Sequence, residues 1–160
     1  MMYNDPFTAP REAAMELKLT KSQYETLLRL VYLGNAVAND YRTDDIDAET
    51  DALESLIFGK AHEAGLGKYA EFDEAEGRAF PTQAAEEAWN PDLDDYRNDV
   101  FWDELEYRLA DRDLVARYGE GYDRTMEMAE IERLENELVE KYYQEFAKNG
   151  INNLMVVRPS

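Results

Sequence analysis

Apolar residues return every three or four positions over much of this 160-residue chain, the spacing of helices with one buried side. The first such stretch starts at Thr20. There TKSQ has the form of a capping box, with Thr20 serving the free amides of the first turn and Gln23 reaching back. Beyond it Tyr24, Leu27, Leu28, Val31, Ala38 and Tyr41 step along one face. Leu30, Leu33 and Val37 widen that face until most of the circumference is apolar, which predicts a central helix touched on several sides. Gly34 and Asn35 sit in its middle. A glycine there costs about 1 kcal/mol relative to alanine, and close approach of a second helix is the expected compensation. Asn35 is the candidate buried polar position, a side chain that must find a partner among apolar neighbours.

The acidic segment TDDIDAETD then supplies a cap and a negative first turn for a second helix, as the positive end of a helix dipole favours. Leu53, Leu56, Ile57, Ala61 and Ala64 form its expected stripe, with Gly65 as the residue that closes it. From Gly65 to Pro81 the periodicity fades among three glycines and a proline, and the segment reads mainly as loop. Residues 82–89 make a short helix that stops before Asn90-Pro91.

NDVFWDELEYRLADRDLV belongs to a further helix over about 99–118. Phe101, Trp102, Leu105 and Leu109 are expected inside, and Glu104 with Arg108 and Asp113 with Arg117 are expected to pair outside. The last helix carries Met128, Ile131, Leu134, Leu138, Tyr142 and Phe146 on one face and ends at Gly150. LMVV after it is a short β-like run. The pattern predicts an all-α fold: a single compact bundle of four or five helices over 11–150, with a flexible arm over 1–10 and an extended tail over 151–160.

Charge changes this picture more than composition does. Seventeen basic against 36 acidic residues leave a formal net charge of −19, concentrated in residues 40–54 and 86–113. A field of that sign repels phosphates and anionic lipid headgroups, so direct nucleic-acid or membrane binding is not expected; a basic protein surface is the expected partner. No apolar window is long enough to span a bilayer, and the chain start lacks a positive segment followed by an apolar run, so the expected location is cytoplasmic.

Candidate chemistry is thin. The absence of cysteine excludes disulfides, thiolate catalysis and cysteine-based zinc sites. With His62 as the single histidine and Gly59 three residues before it, the Glu-x-x-His pairs of di-iron bundles are excluded too. The acids from Asp92 fail the EF-hand pattern, with Arg97 at the glycine position and Asp103 where a glutamate is needed. GLGK at 65–68 lacks Walker A spacing and reads as a helix end and turn. No cofactor is expected.

What remains is an acidic face without matching cations: Asp44, Asp45 and Asp47 before the second helix, and Asp92, Asp94, Asp95, Asp99 and Asp103 further on. The expectation is a non-enzymatic acidic interaction protein, of the nucleic-acid-mimicking or inhibitor type, that binds a basic protein surface. The alternatives are a small ligand-binding module or enzyme with a pocket between helices, and an acidity that serves only solubility. The apolar surface of the last helix and tail also suits a homodimer.

Overall fold

In the computed structural model, which describes residues 16–155, the capping box at the start of the first helix is present. The Gln23 amide donates to Thr20 Oγ1 at 3.3 Å, and the Thr20 amide donates to Gln23 Oε1 at 2.9 Å. Helix α1 runs over Lys21–Asn39. Its buried side is narrower than expected. Leu28 and Ala36 are buried and Val31 is half-buried, whereas Leu30 and Val37 face solvent. Gly34 is exposed, with nothing within 4 Å of where a Cβ would stand, so no helix approaches closely there.

Helix α2 spans Ala48–Phe58 and starts on Asp47, whose carboxylate accepts from the amides of Glu49 and Thr50, both at 3.2 Å. Glu49 and Asp51 place further negative charge in its first turn. The helix is rotated from the expected phase. Ala61, just past its end, is buried as expected and Ile57 and Ala64 are half-buried, but Glu54 and Phe58 are buried where Leu53 and Leu56, both exposed, were expected. Phe58 on that side packs fully buried against Trp89, and Asn35 offers a hydrogen-bond donor to the Glu54 carboxylate. The helix also stops earlier than expected, at Phe58; a turn then leads to Gly65, whose φ of +70° favours glycine.

The segment expected as loop holds a hairpin, so the fold is mostly helical rather than purely all-α. Strand β1, Ala70–Asp73, pairs antiparallel with β2, Arg78–Pro81, in the register Ala70↔Pro81 to Asp73↔Arg78. Asp73 Oδ1 accepts from the amides of Ala75 and Glu76, and Gly77 takes φ +66° to complete the turn. Only Ala70 and Ala79 of these strands are buried, which is why no apolar alternation marks them.

Helix α3 is continuous over Gln83–Tyr118, passing through Pro91 where a stop was expected. Proline inside a helix costs about 3 kcal/mol. Trp89 and Leu93, both buried, hold the helix on either side of it. Helix α4 covers Met128–Asn149 and ends at Gly150 (φ +55°). Its expected face is buried at Leu134 and Phe146 and half-buried at Ile131, Leu138 and Tyr142; Met128 is exposed.

By its contacts the chain divides into two compact units, with the boundary between Trp89 and Asn90. In the first, α2 packs against α1 and against β2. Its core joins Leu28, Phe58, Ala61, Leu66, Tyr69, Ala85 and Trp89. Trp89 is the aromatic centre, with ring centroids of Tyr69, Tyr32 and Phe58 at 4.9, 5.6 and 6.3 Å. In the second unit α3 and α4 meet antiparallel through side chains, Trp102 against Phe146 at 5.5 Å and Asp113 against Tyr142. Ala110 and Leu114 are buried on α3.

Residues 151–155 form no strand. The arm expected over 1–10 and the part of the tail from residue 156 onward lie outside the described residues.

Candidate functional site

The eight predicted acids fall into two groups in different units. Asp44, Asp45 and Asp47 lie between α1 and α2, where Asp45 pairs with Arg42 at 3.0 Å. The Asp47 carboxyl is held below its ordinary range by the amide and hydroxyl of Thr50. That carboxylate caps a helix and is already engaged, so Asp47 leaves the candidate docking face.

Asp92, Asp94, Asp95, Asp99 and Asp103 all lie on α3 and are exposed. Successive helical residues turn by about 100°. Asp95, Asp99 and Asp103 therefore project within an arc of about 80°, over an axial span of about 12 Å. Asp94 points away from that arc and meets Arg97 at 3.8 Å. Among the described residues no cation pairs with Asp95, Asp99 or Asp103. Further along, the expected Glu104–Arg108 pair forms at 3.0 Å. Asp113 instead binds Arg112 at 2.7 Å and the Tyr142 hydroxyl at 2.5 Å, and Arg117 lies over the Tyr118 ring. Phe101 is exposed, so it leaves the set expected inside.

Two buried carboxylates have no counterpart in the sequence-based candidates. Glu54 is buried and receives the Asn35 amide at 2.8 Å; Asn39 donates in turn to Asn35 Oδ1 at 2.7 Å and accepts from the Asp47 amide at 2.7 Å. This chain of amides ties α1 to the start and middle of α2. Burial pushes the Glu54 carboxyl up to about 7, against the Asn35 hydrogen bond that pulls it down. Asn35, expected to be buried, is half-buried and serves a structural network.

Glu106 is the second. It is 5% exposed, lies on α3, and has no hydrogen bond or ion pair among the described residues. Burial, reinforced by Asp103 and by Glu140 of α4, holds its carboxyl above the ordinary range. It lines a cleft of about 260 Å³ with Asp99, Trp102, Asp103, Tyr143, Phe146 and Ala147. The Trp102 indole N–H is already donated to Asn98 at 3.2 Å, so the ring meets the cleft as apolar surface. A signal for both glutamates was present. Each sits on the apolar spacing of its helix, Glu54 with Ile57, Phe58 and Ala61, and Glu106 with Trp102, Leu109 and Ala110.

His62 is exposed, with Nε2 3.2 Å from the Ala70 carbonyl, and the GLGK segment wraps its ring, Gly67 lying directly against it. Among the described residues no three of His, Asp and Glu converge closely enough to hold a metal ion, and no helix is long and apolar enough to cross a membrane. No family model, curated protein or solved structure matches the chain.

Proposed function

We propose that this chain is a non-enzymatic interaction protein that docks on a basic protein surface through the acidic side of α3. The observation that carries the reading is the row Asp95, Asp99 and Asp103, exposed on one side of a helix and without an ion pair among the described residues. Some exposed acids elsewhere have cations, Glu104 with Arg108, and Glu130 and Glu137 with Arg133, while others such as Glu86 and Glu132 have no ion pair among the described residues; what sets the row apart is its alignment on one side of one helix. The row keeps its charge. Steps of about 6 Å along the axis present it as a line of anions. A basic groove that reads nucleic-acid phosphates responds to such a line, and the net charge of −19 steers the encounter.

The test compares the native protein with the triple variant Asp95→Asn/Asp99→Asn/Asp103→Asn as baits in host extract at low salt. Basic proteins held by the native bait, released between about 50 and 200 mM salt and lost from the variant are the expected result; duplex DNA should then displace the purified partner. Identical recovery on both baits, or no basic protein on either, overturns the reading.

A further inference from the structure

We propose that the α3–α4 cleft of the second unit is a receptor for one arginine side chain, which would be presented by the basic partner. The inference rests on the docking reading above and names the group that the partner inserts.

Glu106 is the starting point. Holding a carboxylate at 5% exposure, reached by solvent through the cleft and without a protein hydrogen bond among the described residues, costs free energy, and the neighbours increase that cost, since Asp103 and Glu140 carry the same sign. A cation entering the cleft removes both penalties together. Its floor would be Glu106, and its mouth Asp99 and Asp103, neither of which is paired among the described residues. Trp102, Tyr143 and Phe146 supply the walls.

That mixture selects among cations. A bare metal ion needs several converging oxygens, and no three of His, Asp and Glu converge closely enough here. A lysine ammonium is compact and strongly hydrated, and gains little from an aromatic wall. A guanidinium is flat and weakly hydrated, stacks on rings and spreads its five N–H donors over several carboxylates. A volume of about 260 Å³ has room for one such side chain. Asp95, one turn before Asp99 on the same side of α3, would then meet a second cation of the partner outside the cleft.

The experiment uses the whole chain and the blocked tripeptides acetyl-Gly-Arg-Gly-amide, acetyl-Gly-Lys-Gly-amide and acetyl-Gly-citrulline-Gly-amide. The chain has two tryptophans, so its two indole N–H signals in a proton–nitrogen spectrum separate the cleft from the core of the first unit. The arginine peptide should shift the Trp102 signal and leave Trp89 in place. The lysine peptide should bind more weakly, and the citrulline peptide, which has the shape without the charge, should leave both signals unmoved.

Glu106→Gln should weaken the arginine peptide about tenfold, the scale of a hydrogen bond to a charged group. Glu104→Gln, which removes a charge from the same helix but outside the cleft, should change it less than twofold. If Glu106→Gln loses its native circular dichroism, Asp103→Asn replaces it with the same expectation. Equal binding of citrulline and arginine, parallel shifts of both indoles, no shift at all, or equal effects of Glu104→Gln and Glu106→Gln overturn the cleft. Should the cleft fail while the triple variant still loses its salt-sensitive partner, the docking surface stands without an arginine pocket. If both fail, the docking reading goes as well.

Discussion

Asn35 on α1 donates its side-chain amide to Glu54 on α2 at 2.8 Å, and Glu54 is a carboxylate buried beside the aromatic core of the first unit. The donor does two things for α2. It satisfies the one ionisable group on the buried side of the helix, and through Asn39 it connects to the backbone amide of Asp47. Replacing Asn35 by alanine removes the donor and leaves the carboxylate. The expected cost is about 1–3 kcal/mol at pH 8, read as a lower urea midpoint with an unchanged slope. The Glu54 carboxyl should also titrate above its native value in carbon-detected NMR, because the bond to Asn35 favours the charged form.

The same carboxyl sets a pH dependence. Its folded pKa, about 7, lies above the ordinary carboxylate range, so between about pH 4.5 and 7 the folded chain holds a proton that the unfolded chain has lost. The stability contributed by this group is therefore complete below pH 4.5 and is lost as pH rises through 7. Glu54→Gln removes the dependence. Relative to the native chain the variant should gain about 1–3 kcal/mol at pH 8 and little at pH 5. Denaturant titrations at the two pH values give the difference directly. A gain of equal size at both would place its origin outside the titration of Glu54.

How far the sequence carried the structure follows from the range of the forces involved. The Thr20–Gln23 box and the acidic cap before α2 depend on residues a few positions apart and are legible; Gly65, expected to close α2, instead takes its positive φ in the turn beyond it, because the helix ends at Phe58. The phase of α2 is not legible. Leu53 and Leu56 look more suited to burial than Glu54; burial of Phe58 against Trp89 sets the phase, and the distant Asn35 supplies the partner that Glu54 then needs. The hairpin was hidden because its strands bury little beyond Ala70 and Ala79, and α3 crosses Pro91 because tertiary burial overrides a local penalty. For the candidate site, the acids of α3 are legible as a run of carboxylates with Arg97 as the one cation among them. Which of them share a side followed from helical geometry, and Glu106 emerged only when α4 was placed beside it.

That contrast between local pattern and tertiary placement can be measured on two phenylalanines. Phe58 is fully buried against Trp89, whereas Phe101 is half-exposed on α3. Phe58→Ala should cost about 3–5 kcal/mol, the range for emptying an aromatic core position. Phe101→Ser should stay within about 1 kcal/mol. Thermal melts of the two variants side by side decide between this burial pattern and the inward Phe101 that helical spacing suggests.

Gly67 and His62 form a tight contact in the turn between α2 and the hairpin. A Cβ on Gly67 would stand 2.3 Å from His62 Nδ1, too close for any real contact. Gly67→Ala therefore forces the imidazole to swing away and gives up its approach to the Ala70 carbonyl at 3.2 Å. The expected cost is about 1 kcal/mol. Adding His62→Ala should restore most of it, since the obstacle is then gone. A double-mutant cycle in urea should show coupling of at least about 0.5 kcal/mol; strict additivity would mean that the strain of Gly67→Ala lies in the backbone instead.

In the second unit Tyr142 of α4 connects to α3, its hydroxyl donating to Asp113 at 2.5 Å and accepting from Arg112 at 2.9 Å. Burial pushes the Asp113 carboxyl up, but the Tyr142 and Arg112 bonds outweigh it and hold the group below its ordinary range. Tyr142→Phe keeps the ring stacked on Phe146 at 5.9 Å and deletes only the hydroxyl. Arg112 still neutralises Asp113 at 2.7 Å, so no lone charge is stranded and the loss should be about 1 kcal/mol at pH 7. The sign of the pH dependence follows from the depressed carboxyl. Its contribution is present above the ordinary carboxylate pKa and is lost as pH falls through the folded value, so the native and Tyr142→Phe proteins should converge in stability as pH falls below the ordinary carboxylate range. Denaturation of both proteins by urea between pH 3 and 7 measures the convergence. A difference that stays constant across that range would show that the hydroxyl acts without the Asp113 charge.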